Sequence, residues 1–313
     1  MSASRLNWIL FLLLAFIWGS SYLFIKIGVE ADLAPFTLVM LRLLVGFVLL
    51  ATVVAAARER LPRDPRTYGH LLVLGFVSMA LPFTLITWAE QTVDSTLASI
   101  LAAAIPLVVI VIAAFVLRDE RITIARLAGL GVGFAGVAIL VGVDPSAFTA
   151  GDLTAKGALL GATVSYAAGA VYAKRFLHGL RPMIPALLQV GFALLIVTVL
   201  AFTFERPLEA TLSVDALAAI AWLGLLGSGV AYLLFFRLLA SWGATRTSLV
   251  AYVMPIVGIA LGAGVLNEPV DSGLLGGAAL VIAGIAMVNA RPGWRLPFGR
   301  ARGGPIADHM KPV

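Results

Sequence analysis

Ten runs of apolar residues, each about twenty long and separated by short polar turns, dominate the chain. They cover residues 6–29, 34–57, 70–89, 95–117, 124–143, 153–176, 183–204, 216–239, 245–266 and 272–290. A bilayer core of about 30 Å is crossed by roughly 20 apolar residues in a helix. In lipid every backbone N–H and C=O must be bonded within the segment or within protein, which favours helices here. The pattern therefore predicts an all-α polytopic membrane protein of ten transmembrane helices. The turns leave no room for a separate soluble domain. The first run is too long for the apolar core of a signal peptide and has a counterpart later in the chain, so it is read as a span.

Composition agrees with this reading. The 313 residues are 61% hydrophobic and 12% charged, with a mean hydropathy of +1.04; soluble domains carry about 25% charged residues. The net charge of +6 is not spread as a nucleic-acid surface would require. With the N-terminus in the cytoplasm, 18 of the 22 Lys and Arg fall in cytoplasmic segments, and three, Lys26, Lys156 and Arg206, fall outside. By the positive-inside rule this puts both termini in the cytoplasm. The basic stretch 291–313 then reads as a cytoplasmic tail that anchors the topology. Without cysteine, and with three scattered histidines, no metal centre is expected. The absence of a phosphate-binding or dinucleotide motif leaves no expected cofactor.

The spacing contains a repeat. Trp18 leads to Lys26 as W-G-S-S-Y-L-F-I-K, and 148 residues later Tyr166 leads to Lys174 as Y-A-A-G-A-V-Y-A-K. Pro106 leads to Glu120 through an apolar run, and Pro255 leads to Glu268 in the same way at an offset of 149. Gly129 and Gly136 match Gly277 and Gly284, again at 148. The chain thus divides into two five-helix units, 1–143 and 152–290. Five is odd, so the second unit runs inverted in the membrane. Inverted repeats are characteristic of secondary transporters that bind solute near the midplane, between the halves.

Helix breakers at depth point to that midplane. Pro106 and Pro255 lie near the centres of their spans, and Pro82 and Gly229 lie at similar depth in the third and eighth. A proline leaves a carbonyl without its helical partner, which in lipid calls for protein or a water-filled cavity beside it. These four are the expected hinges around a central cavity.

The expected cavity lining is polar and aromatic. Trp18, Tyr22 and Lys26 share one face of the first helix at i, i+4, i+8, with Ser21 beside them. Tyr166 is the central counterpart in the sixth. Thr84, Trp88, Tyr232, Ser248 and Tyr252 complete the set. Arg42 is the one charge well inside a span, and such a charge marks a functional site with a partner, here a solute carboxylate or a carbonyl freed by a midplane proline. The competing explanation for Arg42 and Lys26 is snorkelling to the headgroups. None of the acidic residues falls at mid-membrane, which favours a facilitator or weakly coupled exporter; Glu90 and Lys26 are the candidates for coupling. The glycines of the fifth and tenth helices predict close packing outside the cavity, extending to a homodimer through those helices.

The opening F-I-W-G-S-S-Y-L-F-I-K-I-G-V, the two P…E runs and the ten-span organisation resemble the EamA domain of the drug/metabolite transporter superfamily, across essentially the whole chain. The resemblance implies a basket of helices around a central cavity lined by spans 1, 3, 4, 6, 8 and 9. It also implies export of amino acids or other metabolites, as in YddG-type aromatic amino-acid exporters. The second half departs from the opening pattern, since W-G-S-S-Y becomes Y-A-A-G-A. The expectation is an inner-membrane exporter of amino acids or similar small metabolites working by alternating access. Its partners would be the solute and the bilayer, with no nucleic acid. An exporter of lipophilic drugs or nucleosides is the alternative. A membrane-embedded enzyme would need an acid or histidine cluster at one membrane face, which the short loops lack.

Overall fold

A computed structural model describes residues 3–116, 124–141, 150–177, 180–242, 247 and 250–289. Among these residues all regular structure is helical. The helices are α1 (Ala3–Glu30), α2 (Pro35–Ala56), α3 (Pro65–Gly75), α4 (Leu81–Ala89), α5 (Ser95–Ala102), α6 (Ile105–Val116) and α7 (Ile124–Val141). The second half holds α8 (Ala150–Phe176), α9 (Met183–Phe204), α10 (Val214–Ala221), α11 (Ala231–Trp242), α12 (Val250–Val265) and α13 (Ser272–Asn289). Six segments are long and apolar enough to cross a membrane: Arg5–Glu30, Pro35–Ala56, Pro65–Ala89, Ser95–Val116, Met183–Phe204 and Val214–Trp242. Leu127–Leu140, Val250–Val265 and Ser272–Val288 are shorter apolar helices. Large apolar side chains such as Leu195, Val199, Phe202 and Phe115 lie exposed, as lipid-facing positions require. The basic tail expected at 291–313 lies outside the described residues.

Proline chemistry shapes the third segment. Between α3 and α4 the helix widens into a π stretch, Phe76–Ala80, in which the Leu81 N–H reaches the Phe76 carbonyl five residues back. Pro82 follows and has no N–H to offer, so the next carbonyl in that register, Val77, is left over. The Ser165 hydroxyl of α8 donates to it at 2.6 Å. A second π stretch, Trp222–Val230, joins α10 to α11. Shifted by 148 residues, the first stretch falls at 224–228, inside the second. The paired breakers Pro82 and Gly229 thus mark paired π stretches, which are frequent at functional sites.

The other pair behaves differently. Pro106 stands at the second position of α6, and the chain breaks at Ala103 and Ala104 between α5 and α6. Pro255 is carried inside the continuous helix α12. The carbonyl it cannot bond belongs to Ala251.

Helices pair in duplicate. α1 packs on α12 as α8 packs on α6; α1 packs on α10 and α11 as α8 packs on α4. α2 lies against the second π stretch as α9 lies against α3 and the first. Three further contacts join equivalent helices: α2 with α9, α5 with α12, and α7 with α13. In the last of these, Gly129, Gly133 and Gly136 meet Gly277 and Gly284 backbone to backbone. The close glycine packing expected of these two helices is formed between them within one chain.

Candidate functional site

Arg42 sits on the eighth residue of α2 and is 3% exposed. Its Nε donates to the Ser228 hydroxyl of the second π stretch at 3.3 Å, and its guanidinium lies 4.1 Å from the centre of the Phe83 ring of α4. No carboxylate pairs with it among the described residues. It does not snorkel: α2 holds it between α4 and the π stretch, where Gly46 and Gly224 allow the backbones to close up. An ion buried without a counter-ion costs several kcal/mol, so its retention calls for an anion from elsewhere.

Around it converge side chains from four segments. A Cβ built on Gly227 would lie 3.3 Å from the Ser21 hydroxyl oxygen and 3.4 Å from an Arg42 terminal nitrogen, so the bare glycine keeps open the space these groups share. Tyr166, Tyr232 and Tyr22 lie in the electrostatic field of the guanidinium, as does Glu90. Tyr22 and Tyr232 are buried. Tyr166 meets Phe83 edge-on at 6.4 Å. Trp18 meets Tyr232 edge-on at 5.8 Å and Phe235 at 5.4 Å. Aromatic walls around one fixed cation suit a solute with an apolar body and an acidic head.

Other expected members are placed differently. Thr84 turns its hydroxyl back to the Ala80 carbonyl at 2.7 Å. Trp88 is 41% exposed and makes no ring contact with the set among the described residues. Tyr252 is half-buried beside α1 and α5, and Ser248 lies outside the described residues. Lys26 does not snorkel either. Its ammonium donates to the carbonyls of Glu90 at 2.9 Å and Val93 at 3.1 Å, capping the C-terminal end of α4. Glu90 itself is buried.

Two glutamates close the same end of the bundle. Glu205 accepts from the N–H groups of Phe36 and Thr37 and from the Thr37 hydroxyl. Glu268 accepts from the N–H groups of Ser95 and Thr96, at 2.8 and 2.9 Å, and from the Thr96 hydroxyl. Each carboxylate sits on the positive N-terminus of a helix from the other half. Neither α2 nor α5 has a side-chain cap of its own from Ala34 or Asp94. In the sequence only Ala34, which has no capping side chain, and Glu268, which ends the second P…E run, hint at these contacts.

Burial alone would raise the Glu268 carboxyl, but the Thr96 hydroxyl and the two backbone N–H groups outweigh it and hold the carboxyl below its ordinary value of 4.5. A lowered folded value stabilises above the unfolded one and is lost as pH falls through it. Glu268→Gln is therefore expected to cost about 1.5–3 kcal/mol near neutral pH, with the gap to the parent protein narrowing below about pH 4.5. Thermal unfolding in detergent across pH 3–8 checks this; a gap independent of pH would contradict it.

The EamA-like transporter family model matches residues 6–142 and 153–290. An uncharacterized transporter of Bacillus subtilis (strain 168), YoaV, is 26% identical over 273 residues, covering 87% of this chain and 92% of its own. An uncharacterized inner membrane transporter of Escherichia coli (strain K12), YedA, is 27% identical, with 80% of each chain covered. A probable amino-acid metabolite efflux pump of Salmonella typhimurium is 26% identical over 90% of this chain and 94% of its own. A crystal structure at 19% identity superposes with a TM-score of 0.65, covering 91% of this chain and 96% of that one. At that identity it speaks for the fold alone.

Proposed function

The chain belongs to the EamA-like transporter family, and from that premise we propose that it is an inner-membrane secondary transporter exporting amino acids or similar small carboxylate-bearing metabolites. The two halves would form inverted five-helix repeats that rock around a central site by alternating access. The duplicate helix pairings and the paired π stretches support this arrangement. The basic loops support cytoplasmic termini, which puts the end holding Lys26, Glu205 and Glu268 outside.

One observation carries the substrate class: the buried Arg42 guanidinium, bonded to Ser228 and stacked on Phe83, has no carboxylate partner among the described residues. A solute carboxylate supplies that partner, and Trp18, Tyr22, Tyr166 and Tyr232 accommodate side chains of varied size. The Salmonella relative named as an amino-acid metabolite efflux pump points the same way. Exporters of lipophilic cations fit less well, because the buried Arg42 at the site would repel a cation.

Counterflow of radiolabelled amino acids in liposomes tests the reading. Saturable exchange of several amino acids, inhibited by their carboxylate analogues, is the expected result. Exchange of none of them, with drugs or nucleosides exchanged instead, would overturn the substrate class.

A further inference from the structure

Glu90 is the residue that Arg42 leaves unexplained. It caps the C-terminal end of α4, one residue past the apolar helix. It is wholly buried, and neither carboxylate oxygen has a hydrogen-bond partner. The charged and titratable groups in its field are Lys26 and Tyr22 of α1, Arg42 of α2 and Glu268 of the turn before α13. From α8, also packed on α4, come Tyr166 against Phe83 and, in its early turns, Lys156. Burial raises the Glu90 carboxyl well above its ordinary range, against the opposing pull of Lys26. A negative charge at a helix C-terminus is disfavoured further by the carbonyl dipoles there.

The nearest cation is already engaged. The Lys26 ammonium holds the carbonyls of Glu90 and Val93, and so fixes the turn joining α4 to α5. The first two residues of α5 carry the Glu268 contact. For Glu90 to become a carboxylate it needs a partner, and drawing Lys26 onto it would pull the ammonium off those carbonyls and release the turn. A neutral Glu90 and a closed end therefore belong together, as do an ionised Glu90 and an open one.

We propose that Glu90 is a proton-binding site of the transporter: a proton taken from the outer water closes the Lys26 end, and its loss to the cytoplasmic side lets that end reopen with solute, so that solute leaves as a proton enters. This rests on the transport reading above. The proton exchanges between water and a Glu90 carboxylate oxygen, and Lys26 stays an ammonium throughout.

In vesicles with a one-unit pH gradient, one proton per solute supports up to about a tenfold accumulation of labelled amino acid. The parent protein is expected to approach that ratio. Glu90→Gln is expected to give a ratio near one, measured against the variant's own gradient-free exchange. A parent protein indifferent to the gradient, or a variant that accumulates like the parent, would overturn the proposal. Should Glu90→Gln fail to fold, the parent still decides the matter through dicyclohexylcarbodiimide, a lipophilic reagent that attacks protonated carboxyls. Peptide mass spectrometry should find the adduct on Glu90 near pH 6 and several-fold less near pH 9. An unlabelled Glu90 at both pH values refutes the site. If no amino acid exchanges at all, the substrate class fails while the labelling still judges Glu90.

Discussion

Arg42→Met is expected to abolish export of carboxylate solutes while leaving the protein as stable as before, or more so. Removing one member of a buried, hydrogen-bonded charge pair costs about 2–5 kcal/mol of binding, roughly 30-fold to several thousand-fold at 1.4 kcal/mol per decade. That loss should be read in the transport efficiency for amino acids. Decarboxylated analogues, which cannot use the guanidinium, should be handled alike by parent and variant. The stability readout runs the other way. Among the described residues Arg42 has the Ser228 hydroxyl and the Phe83 ring for partners, and exchanging buried ions for apolar groups of similar volume is often neutral or stabilising by about 1–4 kcal/mol. Methionine fills irregular space, so thermal unfolding in detergent should occur at the same or a higher temperature. A variant that transports amino acids normally would sink the anchoring role. A variant that unfolds early would make the arginine structural.

That opposition between stability and activity explains which parts of the molecule were legible in the sequence. Apolar length dictates where helices run, so α9 spans the residues expected, 183–204, and α2 differs from its expectation by one residue at each end. The third segment starts at Pro65 and not at 70, because the Asp64 side chain caps the Arg66 N–H and Pro65 occupies the first turn; the polar residues there hide the start from hydropathy. Arg42 and the Trp18–Tyr22–Lys26 face stood out because a charge or an aromatic stripe inside an apolar run violates the pattern locally. The partners of those residues did not stand out. Ser228 lies 186 residues from Arg42, and Glu268 lies 172 from Thr96, distances at which the chain carries no local signal of who meets whom. Lys26 was ambiguous for the same reason. Only the fold shows the ammonium directed at the carbonyls of residues 90 and 93.

The repeat narrows that gap, since an offset that matches sequence also matches partners. Pro82 and Gly227-Ser228-Gly229 occur at equivalent depth for different chemical reasons. One removes an N–H donor; the other removes side chains, letting α2 approach until a Cβ on Gly224 would collide with Val45. Both outcomes are a π stretch, and the second carries Ser228, the hydrogen-bond partner of Arg42. At this depth the two halves share a backbone shape and not a residue type.

The largest stability effect is expected from Gly284→Val in α13. A Cβ at this position would fall inside contact distance of the backbone of Gly129 and Gly133, and backbone atoms of a packed helix cannot turn aside as a side chain can. Overpacking of ordinary cores costs about 1–3 kcal/mol; here α7 and α13 must separate along their whole glycine face, so about 3 kcal/mol or more is expected. Between helices in lipid no hydrophobic force compensates, because tails solvate apolar surface as well as leucine does, and close packing is what holds the pair. Gly276, on the same helix, has nothing within 4 Å of a built Cβ. Gly276→Ala should therefore be neutral or raise the unfolding temperature, since alanine gains up to about 1 kcal/mol over glycine in a helix. No Arg42 partner lies on α7 or α13, so the Gly284→Val molecules that remain folded should keep their transport rate. Thermal unfolding and counterflow on the two variants decide it: equal effects of both substitutions on stability would mean that the glycine face does not hold α7 to α13.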